Sequence, residues 1–203
     1  MKKAIFVIFI VLLIDQLSKI YMKTHFYLGE EINILGLDWA RIRFVENNGM
    51  AWGFEFGGKT GKLFLTLFRL IAISGIGYWL WSSVKENASK LLTFAIALIF
   101  AGAFGNIIDS IFYGIIFDTP IGRGQIATLF ADETYGTLFH GKVVDMFYFP
   151  FIENGTFPSW MPFVGGKTFT FFNAIFNVAD FAISCGVGIL LVFNKRVFPK
   201  QES

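Results

Sequence analysis

The sequence predicts an all-α integral membrane protein with four transmembrane helices and a small extracytoplasmic β-containing region. The chain of 203 residues has a mean hydropathy of +0.60 and only 16% charged residues, which is too apolar for an ordinary soluble domain. Four apolar segments are long enough to cross a hydrocarbon core of about 30 Å as helices. The polar stretches between them are rich in glycine, proline and aromatic residues, which favours turns and short strands.

The predicted transmembrane helices lie at about 4–22, 63–84, 91–113 and 168–193. Each is expected to be helical, because an isolated strand in lipid cannot pair its backbone N–H and C=O groups. Together with outer loops 23–62 and 114–167, they make residues 1–203 a single membrane-embedded domain. The alternation of polar and apolar residues at 41–45 predicts a short strand in the first outer loop.

Basic residues predict the orientation of the four helices. The start of the chain resembles a signal peptide, but no A-x-A cleavage site follows the apolar run, so we interpret it as a retained first helix. The positive-inside rule then predicts that both termini and the short link between helices two and three are cytoplasmic. The basic residues that support this are Lys2, Lys3, Lys85, Lys90, Lys195, Arg196 and Lys200.

Three carboxylates on different helices are predicted to lie at similar depth. At 1.5 Å per helical residue, Asp15, Asp109 and Asp180 lie roughly 18, 28 and 22 Å from the nearest cytoplasmic lysine. An aspartate in hydrocarbon costs at least ~2.5 kcal/mol unless it has a partner, a proton or a wet cleft. Acids that converge in the outer leaflet therefore indicate a functional site.

Polar residues near these acids fall on single helix faces. Gly102 and Gly105 are expected to allow another helix to approach closely. The alternative is that the polar groups only join the helices by buried hydrogen bonds. The three predicted faces consist of Asn173, Asn177, Asp180 and Ser184; Gly102, Asn106 and Asp109; and Asp15, Ser18 and Lys19.

A fourth acid, Asp145, lies in the apolar run 142–149, which is too short to span the membrane. It is expected to lie at the interface or to dip back to the outer end of helix three. Two carboxylates in a low-dielectric cleft share a proton, so one acts as base and the other as acid. An aspartyl hydrolase needs this arrangement, but spacing alone leaves the pair open among Asp109, Asp145 and Asp180.

Other function classes find less support in the sequence. His25 and His140 lie far apart outside any H-E-x-x-H motif, so no metal site is expected. Basic residues are dispersed, which argues against nucleic acid as a partner. Two further readings remain: a small transporter or channel subunit in which the Asp/Asn layer binds a cation or proton, and a scaffolding protein in which single Asp→Asn changes leave function intact.

Five motifs occur along the chain in a fixed order: DQLSK (15–19), NNGMAWG (47–53), GNIID (105–109), VVDMF (143–147) and FNVAD (176–180). They are similar to D-Q-x-[ST]-K, N-x-G-A-A-[FW]-[GS], G-N-x-x-D-R, V-V-D-F and F-N-x-A-D. With these motifs on a predicted scaffold of four helices, the chain resembles the lipoprotein signal peptidases (signal peptidase II), a family of bacterial inner-membrane aspartyl peptidases.

The resemblance implies that Asp145 and Asp180 are the catalytic pair. It implies hydrolysis of the peptide bond before the lipidated cysteine of a diacylglyceryl-modified prolipoprotein, without metal or organic cofactor. The active site is then expected at the outer leaflet of the inner membrane, in a monomer whose partners are prolipoproteins and membrane lipid. The residues implied in the substrate site or its support are Asn47, Asn106, Asp109, Asn177, Asp15 and Lys19.

The chain departs from the family pattern in two respects. Ser110 stands where the G-N-x-x-D-R motif has arginine, so we expect Lys142 or Arg123 to supply a cation at the site. The segments 122–136 and 152–167 are additional to the motifs. They are expected to form an outer cap that selects substrate or restricts its entry.

Overall fold

The computed structural model describes residues 1–49, 58–118 and 124–198. Helix α1 is Lys2–His25, α2 is Gly58–Lys85 and α3 is Lys90–Ile108. Helix α3 continues through a π-helical turn, Asp109–Tyr113, and a last α-helical turn, Gly114–Ile116. Within the described residues, α1, α2 and α3 with its extension are the helices long and apolar enough to cross a membrane. They indicate a multi-pass membrane protein.

The predicted fourth helix is wrong in its first part. Helix α4 is Val178–Val192, followed by the short helix α5, Asn194–Val197. Fifteen residues span only about 22 Å, so four full-length spans are not confirmed. The helix starts late because Asn177 caps it: the Asn177 side chain accepts a hydrogen bond from the Asp180 backbone N–H at 2.9 Å.

The residues before Asn177 form strands instead of helix, which is consistent with their content of threonine and phenylalanine. Strand β5 is Thr168–Phe171 and β6 is Ile175–Phe176. The predicted polar stripe on helix four therefore loses Asn173, whose side-chain oxygen accepts a hydrogen bond from the Tyr148 hydroxyl at 3.1 Å. The all-α description is only approximate.

A four-stranded antiparallel sheet lies at one end of the helices, against the C-terminal ends of α1 and α3. Its order is β1 (Glu31–Asn33), β2 (Arg41–Asn47), β3 (Val143–Tyr148) and β6. Strand β4 (Ile152–Thr156) pairs with β5 in a separate hairpin. The predicted strand at 41–45 is confirmed and extends to Asn47. Since Asn47 pairs with Val143, Asn47 and Asp145 lie on the same face of the sheet.

Close packing of α3 brings three helices together. A Cβ added at Gly102 would lie 2.2 Å from the Ala179 carbonyl oxygen of α4, and one at Gly105 would lie 2.6 Å from the Asp15 carboxylate of α1. Both distances are shorter than any normal contact, so only glycine allows α1 and α4 to approach α3 this closely. The predicted close approach at Gly102 and Gly105 is confirmed.

An apolar cluster fixes the sheet on the helix ends. Phe44 and Val144, on β2 and β3, pack with Met22 of α1 and Tyr113 of α3, and all four side chains are buried. This burial of apolar area holds β3 against the C-terminal ends of α1 and α3. Asp145, which follows Val144, is thereby placed at the junction between sheet and helices.

Candidate active site

Asp145 lies on β3 and is almost completely buried, with 7% of its surface exposed. Two amides hold its carboxylate. Asn177 Nδ2 donates a hydrogen bond to Asp145 Oδ1 at 2.7 Å, and Asn47 Nδ2 donates to Oδ2. The carboxylate is therefore fixed from α4 on one side and from β2 on the other.

Asp180 lies in the first turn of α4 and is held through the same asparagine. Asn177 N–H donates to Asp180 Oδ2 at 3.2 Å, so Asn177 and Asp180 form a reciprocal capping box. Asn106 Nδ2 of α3 donates to Asp180 Oδ1 at 2.9 Å. Both carboxylates thus contact Asn177, Asp145 through its side chain and Asp180 through its backbone.

The environment of Asp145 favours its protonated form. Burial and the nearby charge of Asp180 together raise the pKa of Asp145 to about 7, although the charge of Lys19 and the hydrogen bond from Asn177 act to lower it. An acid of this kind beside a second carboxylate can hold a proton near neutral pH. This is the arrangement that general acid–base hydrolysis requires.

A buried ionic cluster lies next to this pair and contacts it through Asn106. Lys19 Nζ lies 2.9 Å from Asp15 Oδ2 and 2.8 Å from Asp109 Oδ2, and all three side chains are fully buried. The same ammonium group donates to Asn106 Oδ1 at 2.8 Å, which turns the Asn106 amide nitrogen towards Asp180. Asp15 Oδ1 also accepts a hydrogen bond from the Ala179 backbone N–H at 2.9 Å.

All the predicted site residues belong to one hydrogen-bonded network. Lys19 contacts both Asp15 and Asp109, and it is linked to Asp180 through Asn106. The common depth of these acids in the membrane and their roles remain predictions. The network connects Asp145, Asp180, Asn47, Asn106, Asp109, Asn177, Asp15 and Lys19.

Sequence reasoning missed Gln16, which belongs to the same network. Gln16 Nε2 donates to Asp109 Oδ1 at 2.9 Å and to Asp15 Oδ2 at 3.1 Å, and Gln16 Oε1 accepts from the Tyr113 hydroxyl at 3.2 Å. Its position inside DQLSK was the available signal. The helical spacing used for Asp15 and Lys19 did not select it.

The expected cation from Lys142 is not found at the aspartate pair. Lys142 is 41% exposed and its Nζ lies 3.7 Å from Glu46 Oε2, while Arg123 lies outside the described residues. Ser110 is fully buried and its hydroxyl donates to the Asn106 carbonyl at 3.0 Å. One cation that interacts electrostatically with Asp180 is Arg69 of α2, which also donates to the Gly49 carbonyl.

The described residues of the outer loop motif end at Gly49, so the predicted match at 50–53 lies outside them. Gly49 has a φ of +87°, a conformation that glycine adopts at little cost. Its N–H donates to Asn47 Oδ1 at 2.6 Å, which leaves the Asn47 amide nitrogen free to face Asp145. In the part of the chain that the structure describes, no group of three or more His, Cys, Asp or Glu side chains is arranged to hold a metal ion.

Comparison with known proteins identifies the family of the chain. Residues 7–195 match the family model described as signal peptidase (SPase) II. The chain belongs to the signal peptidase II family. The transporter alternative is therefore unsupported.

Curated relatives and solved structures are similar over most of the chain. A lipoprotein signal peptidase of Porphyromonas gingivalis is 50% identical over 191 residues, covering 93% of this chain and 81% of the relative. A lipoprotein signal peptidase of Amoebophilus asiaticus is 38% identical over 192 residues, covering 93% of this chain and 75% of the relative. A bacterial membrane enzyme solved by the in meso method at 2.3 Å resolution has a TM-score of 0.61 at 23% identity. The match covers 100% of this chain and 94% of the other, which shows a shared fold.

Proposed function

We propose that the chain is an aspartyl endopeptidase that removes signal peptides from diacylglyceryl-modified prolipoproteins by cleaving before the lipidated cysteine. The observation that carries this proposal is the pairing of Asp145 and Asp180 around Asn177. The membership of the signal peptidase II family and the names of the relatives supply the substrate class.

In the proposed reaction Asp180 is the base and Asp145 is the acid. Asp180 takes a proton from a water molecule, whose oxygen attacks the scissile carbonyl carbon, while Asp145 donates its proton to the carbonyl oxygen. The tetrahedral intermediate then collapses: its hydroxyl returns a proton to Asp145, the C–N bond breaks, and Asp180 donates its proton to the leaving nitrogen. The assignment follows from the raised pKa of Asp145.

The remaining network positions the pair. Lys19 fixes Asn106, and Asn106 and Asn177 fix the two carboxylates, with Asn106 inside α3 and Asn177 at the N-cap of α4. Asp15, Lys19 and Asp109 are fully buried, so in this conformation they contribute support rather than contact with substrate. The more exposed Asn47 remains available to contact the substrate backbone.

The location of the pair suits a lipidated substrate. The carboxylates lie where the ends of α3 and α4 meet the sheet, and we place this junction at the outer leaflet with both termini in the cytoplasm. A signal peptide then lies among the helices while the diacylglyceryl chains stay in lipid. The scissile bond falls between them, and the enzyme acts as a monomer.

The test is a cleavage assay on purified protein with a diacylglyceryl-modified prolipoprotein. Asp145→Asn and Asp180→Asn are expected to fold and to lose cleavage, since neither amide can exchange the required proton. Asp132→Asn, on an exposed outer residue, is the matched control and should retain wild-type activity. Asp109→Asn, which contacts neither carboxylate directly, should retain part of it.

Two results would change the proposal. If Asp145→Asn cleaves at the wild-type rate while Asp109→Asn is inactive, the pair is wrongly assigned although the enzyme class stands. If well-folded wild-type protein does not cleave the substrate, the proposed activity is wrong.

A further inference from the structure

A cavity of about 650 Å³ lies at the end of the helices opposite the sheet, between the start of α1 and the turn from α2 to α3. Along α1, Lys3 of this cavity is roughly 18 Å from Asp15, so the cavity is separate from the aspartate network. Its volume falls within the range of about 300–1,000 Å³ that is usual for small-molecule sites.

Three helices form the cavity. Both α1 and α2 pack against α3, and the gap between the start of α1 and the end of α2 leaves the first turn of α3 as its floor. Ser89 fixes the wall at the turn: its side-chain oxygen accepts from the Leu92 N–H at 3.1 Å, and its hydroxyl donates to the Val197 carbonyl at 3.0 Å. The cavity is therefore built by the packing of the helices and by the cap of α3.

Lysine side chains form the rim of the cavity. Lys2 and Lys3 line it from α1 and Lys90 lines it from α3, and there is no carboxylate among the described residues that line it. In the described ranges none of these three lysines takes part in an ion pair. The neighbouring Glu86 does not line the cavity and accepts a hydrogen bond from the Ser82 hydroxyl at 2.7 Å. Cations gathered at one opening attract an anion.

The lining becomes apolar one helical turn further into the cavity. Val7 follows Lys3 by four residues in α1, and Phe94 follows Lys90 by four residues in α3, so each lies about 6 Å deeper. Helix α2 runs in the opposite direction and contributes Val84 ahead of the turn. None of these three apolar side chains is fully buried. The cavity thus has a cationic opening at the helix ends and an apolar interior towards the middle of the helices.

This order of charge and apolar surface matches a phospholipid. A phospholipid carries its phosphate at the membrane surface and its acyl chains inward, in the same order as the lysines and the apolar residues. Basic pockets between transmembrane helices bind anionic head groups in this way. A soluble anion or an acidic peptide would use only the lysines and would leave the apolar interior in contact with water.

We propose that this cavity binds an anionic phospholipid, with the phosphate at Lys3 and Lys90 and an acyl chain along Val7, Val84 and Phe94. The site does not depend on the proposed peptidase reaction. A bound lipid fills the gap between α1 and α2 and so connects both helices at the end that lies away from the aspartate pair.

The experiment measures lipid binding. Wild-type protein is reconstituted in bilayers with equal amounts of phosphatidylglycerol and phosphatidylcholine of identical acyl chains, and the lipids retained on extraction are counted by native mass spectrometry. Wild type should retain phosphatidylglycerol in preference to phosphatidylcholine. The Lys3→Gln/Lys90→Gln variant should reduce this preference by about fivefold per lysine. Equal retention of both lipids by wild type would overturn the proposal.

The matched control is Lys85→Gln/Lys195→Gln, which removes the same charge from the same end of the helices. Neither lysine lines the cavity, and the Lys85 ammonium lies 5.0 Å from the Trp81 ring. This variant should retain the wild-type preference. If it loses as much preference as Lys3→Gln/Lys90→Gln, the preference comes from the general surface charge and the proposed site is wrong.

Two further arms test the acyl chain. Val7→Phe and Val84→Phe each place a larger apolar side chain in the interior without a change in charge. Each should lower the retention of phosphatidylglycerol by about fourfold for every methylene group that the ring displaces, and unchanged retention in both would overturn the lipid. Excess inorganic phosphate should not displace retained phosphatidylglycerol, since it lacks acyl chains; displacement would identify a site for soluble anions instead.

Discussion

Substitutions of Asn177 can separate its role as a helix cap from its hydrogen bond to Asp145. Its side-chain oxygen caps α4, and its amide nitrogen donates to Asp145 at 2.7 Å and to Asn106 Oδ1 and the Val144 carbonyl at 3.1 Å. Asn177→Ser retains a capping oxygen but loses the amide nitrogen. Asn177→Ala loses both, so a comparison of the two variants assigns each effect to one atom.

The expected magnitudes follow from these contacts. A hydrogen bond to a charged group contributes about 1.5–3 kcal/mol, which corresponds to about 10- to 150-fold in rate if it orients the acid. Both variants should lose activity by this factor in the cleavage assay. Loss of the N-cap costs about 1 kcal/mol, so Asn177→Ala should also unfold at lower denaturant than Asn177→Ser.

The pH dependence of the cleavage rate distinguishes loss of this hydrogen bond from a mere loss of packing, because loss of packing would not shift the profile along the pH axis. The hydrogen bond from Asn177 stabilises the charged form of Asp145, so its removal raises the pKa of Asp145 above about 7. The protonated acid then persists to higher pH, and the alkaline limb of the rate profile should move upwards in Asn177→Ser. A Ser variant with wild-type rate and an unshifted profile would refute the role of this amide.

Three further predictions concern the support of the site. Lys19→Met leaves two buried carboxylates without their cation, so the free energy of unfolding in a detergent titration should fall by about 3–5 kcal/mol; an unchanged value would contradict the buried ion cluster. Gly102→Ala should reduce thermal stability and cleavage because its Cβ meets the Ala179 carbonyl at 2.2 Å, whereas Gly188→Ala, with open space around it, should do neither. Arg69→Gln should slow cleavage about tenfold at unchanged stability, and a wild-type rate would remove Arg69 as the cation of the site.

The acids of the site could be predicted because few explanations exist for a carboxylate in an apolar helix. Asp15, Asp109 and Asp180 stand out by polarity, and the constant rise of a helix relates their depths without knowledge of the fold. The position of Asp145 was harder to predict, because β3 has only six residues and is buried on both faces, so it shows no alternation of polar and apolar residues. Its partner could be inferred only from the resemblance to a family.

The start of α4 could not be predicted from hydropathy. Residues 168–193 form one apolar run, but the backbone changes from strand to helix at Asn177, where the cap and the strand pairing outweigh apolar continuity. The interaction of Arg69 with Asp180 could not be predicted from the sequence either. Its partner Gly49 is 20 residues away, and that contact depends on how the Asn47–Gly49 turn packs against α2.

The contact between Asp15 and Ala179 joins residues 164 positions apart in the chain. At about 5–20 residues per second, a ribosome makes Asp15 roughly 8–33 s before Ala179. During this interval the first helix already carries a carboxylate whose final partner does not yet exist, with Lys19 as its neighbour one turn away. Lys19 is then the charged partner available to Asp15 within the first helix, and Asp180 can approach Asp145 only when the last helix has been made. An unfinished chain consequently lacks the proposed catalytic pair.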